Sequence, residues 1–597
     1  MSAATVDLAD RASSGKHSPF RRALGIGLIL GVVAVYGATV GILPLMDARW
    51  VIVDVVSLGD AALIAIGLSA GAVVAARTRS SEFWPLVPPS LVAGGAAGGL
   101  LALLALAMQA FPLRQIFIAL SPNLLKSLTF GLGAPLGGAV LIVVGSLLAV
   151  LGAALTRAPK GLRKLVTVGL TFVIVFGVFQ ELIQIMMQSG GAIDALRQSI
   201  YTWEGLTLEG ALMIFVLASG ATFVWTAWLR GPARERLIKL SPVQRRYVKA
   251  VRVVLFILVL VLLPVVAGSY IGQVMMLVGL YILMGMGLNL EVGLAGLLDL
   301  GFVAFFAVGA YTTAILTADS PHALASYTAI PSLSYWAAMP IAVLASIVVG
   351  VLFGIPVLGV RGDYLAVATM GLGEIVRVVV QSDMAAPLLG GAQGILQIPK
   401  PRIGGHELAD PVQLFYLTLA ASAIAAYFAW RLENSRLGRA WMAVRDDEDV
   451  AQALGINLVK VKLLAYGLGA AFAGLAGSIF AVMLTSVYPS SFQLLVSINV
   501  LALIIVGGMG SLPGVMVGAM ALVGLPELLR EFGEFRFLLY GAALIFMMRV
   551  RPEGLWPSAT RRRELRDEAG ESVLDEPEEA AALARRRRVS DLQKTEL

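Results

Sequence analysis

Charged side chains in an otherwise apolar chain mark where chemistry is possible. The longest such stretch is residues 431–462, RLENSRLGRAWMAVRDDEDVAQALGINLVKVK, with apolar runs on both sides. It holds neither Cys nor His, and no G-x-x-x-x-G-K-[ST] phosphate loop occurs anywhere in the chain. The stretch therefore has no means of thiol, imidazole or phosphoryl chemistry of its own. Its pattern suits docking. Leu437, Trp441 and Val444 fall at i, i+4, i+7 on one face of a short helix. Asp446 or Asp447 can cap a second helix that carries Val450, Ala453 and Leu454 on one face, and Gly455 can close it in the left-handed conformation. Two readings stand: a bent amphipathic hairpin that wedges into a groove on a partner, or a solvated loop.

Other polar groups lie inside apolar runs. Glu374 and Arg377, spaced i, i+3 within 364–382, can neutralise each other on one helical face. Charge at membrane depth is costly and tends to face a bundle interior or a cavity, so the pair is either a structural ion pair or part of a substrate path. Asn289, Glu291 and Asp299 lie close to a turn near 290–296 that is flanked by glycines. Those glycines serve helix packing and the turn, or direct substrate contact. Glu181, Gln184 and Gln188 form a stripe near one end of another run, where interfacial snorkelling accounts for them. His17, His322 and His406 lie in polar segments with no shared helical spacing, which reads as exposed loop residues rather than metal ligands. With no cysteine in 597 residues, disulfides, thiol nucleophiles and Cys-ligated metals are excluded.

The elements that must position these groups follow from composition. The chain is 58% hydrophobic and only 14% charged, with mean hydropathy +0.85. A soluble chain would carry about a quarter charged residues. Apolar runs long enough to span a bilayer recur from 23–45 to 536–549. The fold class is an all-α polytopic membrane protein of about sixteen transmembrane helices by this length rule. A β-barrel, with strands of about ten residues of alternating polarity, does not fit. The net charge of +7 sits mainly in loops and termini, so it reports on topology in membrane lipid and not on nucleic acid.

Basic residues alternate from loop to loop. Arg77 and Arg79, Arg157 to Lys164, Arg230 to Lys249, Arg361, the 431–462 stretch and the segment from Arg549 fall on one side, while 46–55, 189–208 and 318–334 are poor in them. The positive-inside rule then predicts both termini in the cytoplasm. The organisation reads as a cytoplasmic leader (1–22), a membrane module of about six spans (23–229), a basic cytoplasmic linker (230–249), a second module of about ten spans (250–551) and a charged cytoplasmic tail (552–597). The run from Ala23 is too long for a signal-peptide core and reads as a retained first span.

Four ordered stretches carry a family resemblance. They are GLNLEVGLAGLLDLGFVAFFAVGAY (287–311), VRGDYLAVATMGLGEIVRVV (360–379), LGRAWMAVRDDEDVAQALGIN (437–457) and GGMGSLPGVMVGA (507–519). Over about 250–555 the chain resembles the permeases of branched-chain amino acid ABC importers, the LivM type; no family resemblance is evident over 1–245. The resemblance implies a bacterial inner-membrane importer. A periplasmic substrate-binding protein would deliver an aliphatic amino acid, this chain and a second permease subunit would form the path, and two ATP-binding subunits would drive it. ATP would then be bound by those partners, with no cofactor in this chain and no enzymatic activity of its own. Gly438, Arg439, Asp447, Glu448, Ala453 and Gly455 match the family's ATPase-coupling segment. Asn289, Glu374 and Arg377 are the translocation-path candidates. Glu291 stands where the family carries an apolar residue. Gly390 to Ile395, GGAQGI, resembles the family's glycine-rich loop, with Ala392 and Gln393 in place of Pro and Asn; it is either a contact for the delivering protein or a simple turn. Two rival functions remain: an ion-coupled secondary transporter, which calls for inverted repeats and several intramembrane carboxylates, and a permease of the same architecture for urea or short amides.

Overall fold

The computed structural model describes residues 19–78, 82–187, 192–226, 242–318, 320, 332–360, 362–530, 533, 535–551 and 553–557. The leader through residue 18 with His17, Gln188, the linker from 230 to 241, His322 and the tail from 558 lie outside them. The chain divides into two compact units, Met1–Ile257 and Leu258–Leu597.

In the first unit the long helices are α1 (Pro19–Val40), α2 (Leu58–Arg77), α3 (Val87–Ala110), α4 (Ala134–Arg157) and α5 (Lys160–Val178), with a shorter α6 (Leu208–Val224). Lipid tails are as apolar as leucine, so helices associate there through close backbone approach. Small residues permit it. A Cβ on Gly71 of α2 would overlap the Ala149 carbonyl of α4, and one on Gly94 of α3 would overlap that of Gly145. α1 ends at Val40, earlier than the apolar run suggests, because Gly41 takes the left-handed conformation at φ 96°.

The second unit is built on α7 (Pro242–Ala267, which begins in the first), α8 (Ser269–Leu288), α9 (Val303–Thr317), α10 (Tyr335–Val357), α11 (Asp363–Gln381), α12 (Pro411–Glu433), α13 (Arg436–Asp446), α14 (Glu448–Ala453), α15 (Leu458–Leu484), α16 (Leu494–Gly507), α17 (Leu512–Ala519) and α18 (Phe535–Val550). α15 is the central post. Gly309 of α9 meets Gly474 of α15 backbone to backbone, Gly477 of α15 meets the Phe306 carbonyl, and Gly350 of α10 lies on Tyr466 and Ala470. Two short strands, β1 (Ile395–Leu396) and β2 (Ser486–Val487), pair antiparallel and tie the GGAQGI loop to the end of α15.

The protein is an all-α polytopic membrane protein. Among the described residues twelve helices are long and apolar enough to cross a bilayer, and Leu208–Val224, Val303–Thr317 and Leu512–Leu528 are shorter apolar helices. The expected sixteen is therefore not reached by length. The apolar run over 296–317 shows why. Its first residues form a non-helical connection opened by Gly296 at φ 72°, leaving α9 with 15 residues.

The joint beneath the charged segment

The site grows from the first glycine-rich stretch. α8 runs into a π-helical turn at Asn289–Leu294, and the chain then reverses at Gly296. Three other segments bond to this widened turn and to the connection that follows it. The Asn289 Oδ1 accepts the Gly510 backbone N–H at 2.8 Å, bringing in the GGMGSLPG stretch. The Thr369 hydroxyl of α11 accepts the Leu300 N–H at 3.0 Å. Arg445 of α13 donates to the Gly293 carbonyl at 2.7 Å. A Cβ on Gly296 would strike the Arg445 side chain, so the left-handed glycine also makes room for that contact. All four stretches singled out in the sequence thus converge on one joint.

The charged segment is seated on this joint by its apolar face. Ser435 caps α13, its hydroxyl accepting the Leu437 and Gly438 N–H groups. Gly438 is buried where a Cβ would overlap the Leu432 and Glu433 carbonyls, which lets α13 fold back sharply on the end of α12. Trp441 is fully buried and donates its indole N–H to the Val461 carbonyl at 2.9 Å. Asp447 caps α14, accepting the Asp449 and Val450 N–H groups. Gly455 then closes α14 at φ 87°, with the Ile456 N–H returning to the Ala451 carbonyl.

What this leaves outward is informative. Arg439, Asp447, Ala453 and Gly455 are exposed, and Val450 and Leu454 present apolar surface that is 55% and 76% exposed. Glu448 differs: its carboxylate reaches back 2.7 Å to the Lys462 ammonium, a group only 4% exposed on α15. Removing one member of a mostly buried pair strands the other charge, whereas removing both does not. Glu448→Leu is accordingly expected to lower stability by about 3 kcal/mol, and Glu448→Leu with Lys462→Met by much less. Melting of the purified variants checks this; equal losses in single and double variants would contradict it.

The path candidates separate. Asn289 is buried in the joint and tied to Gly510. Glu374 and Arg377 pair through their i, i+3 spacing, but on an open face of α11, with side chains 48% and 29% exposed. Neither side chain is therefore buried within this chain. Among the described residues the fully buried carboxylates are Glu291 and Asp299, at 0% and 1% exposure. Nothing in the apolar pattern could reveal this, because a helix that is apolar all round gives no facing signal. One edge of the α11 face is a narrow cleft lined by Tyr311, Arg377 and Phe492. A cavity of about 530 Å³ lies in the first unit. Its polar end consists largely of Asp47, Ser57 and Asp60, which bond to one another, so the joint is the better candidate for function.

Comparison with known proteins agrees with the position of the joint. Residues 270–548 match the family model described as branched-chain amino acid transport system / permease component. The chain is 40% identical over 301 residues to the high-affinity branched-chain amino acid transport system permease protein LivM of Salmonella typhimurium, covering 47% of this chain and 68% of that one. To the LivM protein of Escherichia coli it is 39% identical over 313 residues, covering 49% and 71%. The LivH permease protein of Escherichia coli is 28% identical over 176 residues, covering 29% and 55%. No solved structure matches the chain.

Proposed function

Because the chain belongs to the branched-chain amino acid transport permease family, we propose that it is a permease subunit of an ATP-driven importer of branched-chain or related amino acids in a bacterial inner membrane. It forms the translocation path with a second permease subunit and receives its substrate from a periplasmic binding protein. Both termini are cytoplasmic. With no phosphate loop in this chain, ATP is bound and hydrolysed by two separate subunits. The observation that carries the reading is the seating of residues 435–457: one face is bonded into the joint of four segments, and the opposite tip offers Val450, Ala453 and Leu454 to a partner.

Closure of the ATPase pair displaces this tip, and Trp441, Arg445 and the Glu448–Lys462 pair pass the displacement to α15 and to the π-turn of α8. A rigid strap between a moving partner and a bundle packed on glycine contacts converts nucleotide state into rocking of spans. The Glu374–Arg377 pair faces the second permease subunit, since a charge pair is costly against hydrocarbon. Residues 23–229 form a membrane module additional to the permease domain. Reconstitution tests the proposal. Liposomes holding this chain, its permease partner and its ATP-binding subunits take up radiolabelled leucine from the binding protein only with ATP. Leucine uptake by the chain alone on a proton gradient would overturn it.

A further inference from the structure

The joint contains a group of polar atoms that its hydrogen bonding does not use. Both Glu291 carboxylate oxygens, Asp299 Oδ2 and the Tyr466 hydroxyl are buried without a hydrogen-bond partner. The Glu291 and Asp299 carboxyls lie within hydrogen-bonding reach of each other, and Tyr466 of α15 lies within electrostatic reach of both. Asp299 Oδ1 is occupied by the Gly301 N–H at 2.7 Å. The walls are closed: a Cβ on Gly469 would overlap the Glu291 carboxylate, and one on Gly301 would overlap the Thr369 carbonyl.

Charged groups on the packed elements are already engaged elsewhere or turned outward. Lys462 of α15 pairs with Glu448, and Arg445 of α13 bonds the Gly293 carbonyl. Lys460 of α15, Arg436, Arg439 and Asp446 of α13, and Arg431 of α12 are exposed, and Glu433 of α12 sits at the carbonyl end beneath Gly438. Two carboxylates in contact and out of water cannot both stay ionised without a cation between them. The missing element is a hydrogen between two oxygens.

We propose that Glu291 and Asp299 form a buried proton-binding site, one proton shared between the two carboxyls, that holds the π-turn closed beneath the charged segment. With the proton present, one carboxyl donates to the other and the turn stays against α15 at Gly469. Without it, two adjacent anions repel and draw the Gly293 carbonyl away from Arg445. Proton occupancy thereby sets how firmly residues 435–457 are coupled to α8 and α9. The site itself does not depend on the transport reading; only its consequence for coupling does.

Infrared difference spectroscopy of the purified full chain at neutral pH tests it, in choline buffer free of sodium. The wild type shows one protonated carboxyl C=O band per chain that shifts in D2O. The band is lost in Glu291→Gln and in Asp299→Asn, where an amide donates to the remaining carboxylate. The double variant Glu291→Val with Asp299→Val also lacks it and, being apolar throughout, guards against loss of fold in the single variants. Spectra of wild type and Glu291→Gln that coincide in the carboxyl region would overturn the proposal. A band that disappears when sodium replaces choline would also overturn it, making the site one for a metal cation.

Discussion

Aspartate at both Val450 and Leu454 is expected to lower ATP-driven uptake by about a hundred-fold, since failing to bury a Val or Leu side chain in an interface forfeits about 1.5 kcal/mol each. Both side chains are exposed on α14, neither contributes to the core, and the Asp447 cap and Gly455 stop remain in place. The variant should therefore insert and melt like the wild type while failing to engage its ATP-binding subunits. Uptake in liposomes and the melting midpoint, measured together, separate the two effects. Normal uptake by a normally folded double variant would remove the tip from the mechanism.

Trp441→Ala is expected to do the reverse, loosening the strap and leaving its tip chemistry untouched. The indole is fully buried between α13 and α15, so its removal leaves a cavity costing about 3–5 kcal/mol. Trp441→Phe keeps most of the volume but leaves the Val461 carbonyl without its indole donor, a loss of about 1 kcal/mol. Two readouts check the pair: the melting midpoint, and the rate at which protease cuts within 435–457. Trp441→Ala should show early cleavage there, Trp441→Phe only slightly. Unchanged cleavage in Trp441→Ala would show that the segment is held by something other than this side chain.

Much of this segment was legible because its signals are local. A short amphipathic helix with Leu437, Trp441 and Val444 on one face can bury only that face, and Trp441 and Val444 are buried with Leu437 at the margin. Asp447 and Gly455 carry cap chemistry that depends on backbone position alone. The facing of groups on uniformly apolar helices was not legible. Glu291 and Asp299, at the end of the uniformly apolar α8 and in the connection after it, came together only through the turn between them. Lys462 looked like the basic end of a cytoplasmic stretch, yet Glu448 draws it into the fold. Span length failed for a related reason. A π-turn and a left-handed glycine shorten a helix in the middle of an apolar run without changing its hydropathy.

On the proposed function, the tip of residues 447–455 touches the ATP-binding subunits. The chain has no cysteine, so Leu454→Cys introduces a single thiol. Cross-linking it in the reconstituted importer to cysteines placed along the surface groove of the ATP-binding subunits tests the contact directly. One dominant adduct is expected, with a yield that changes between ATP-bound and nucleotide-free states, and none from Tyr488→Cys beyond the far end of α15. No adduct from Leu454→Cys in an importer that still takes up leucine with ATP would contradict it.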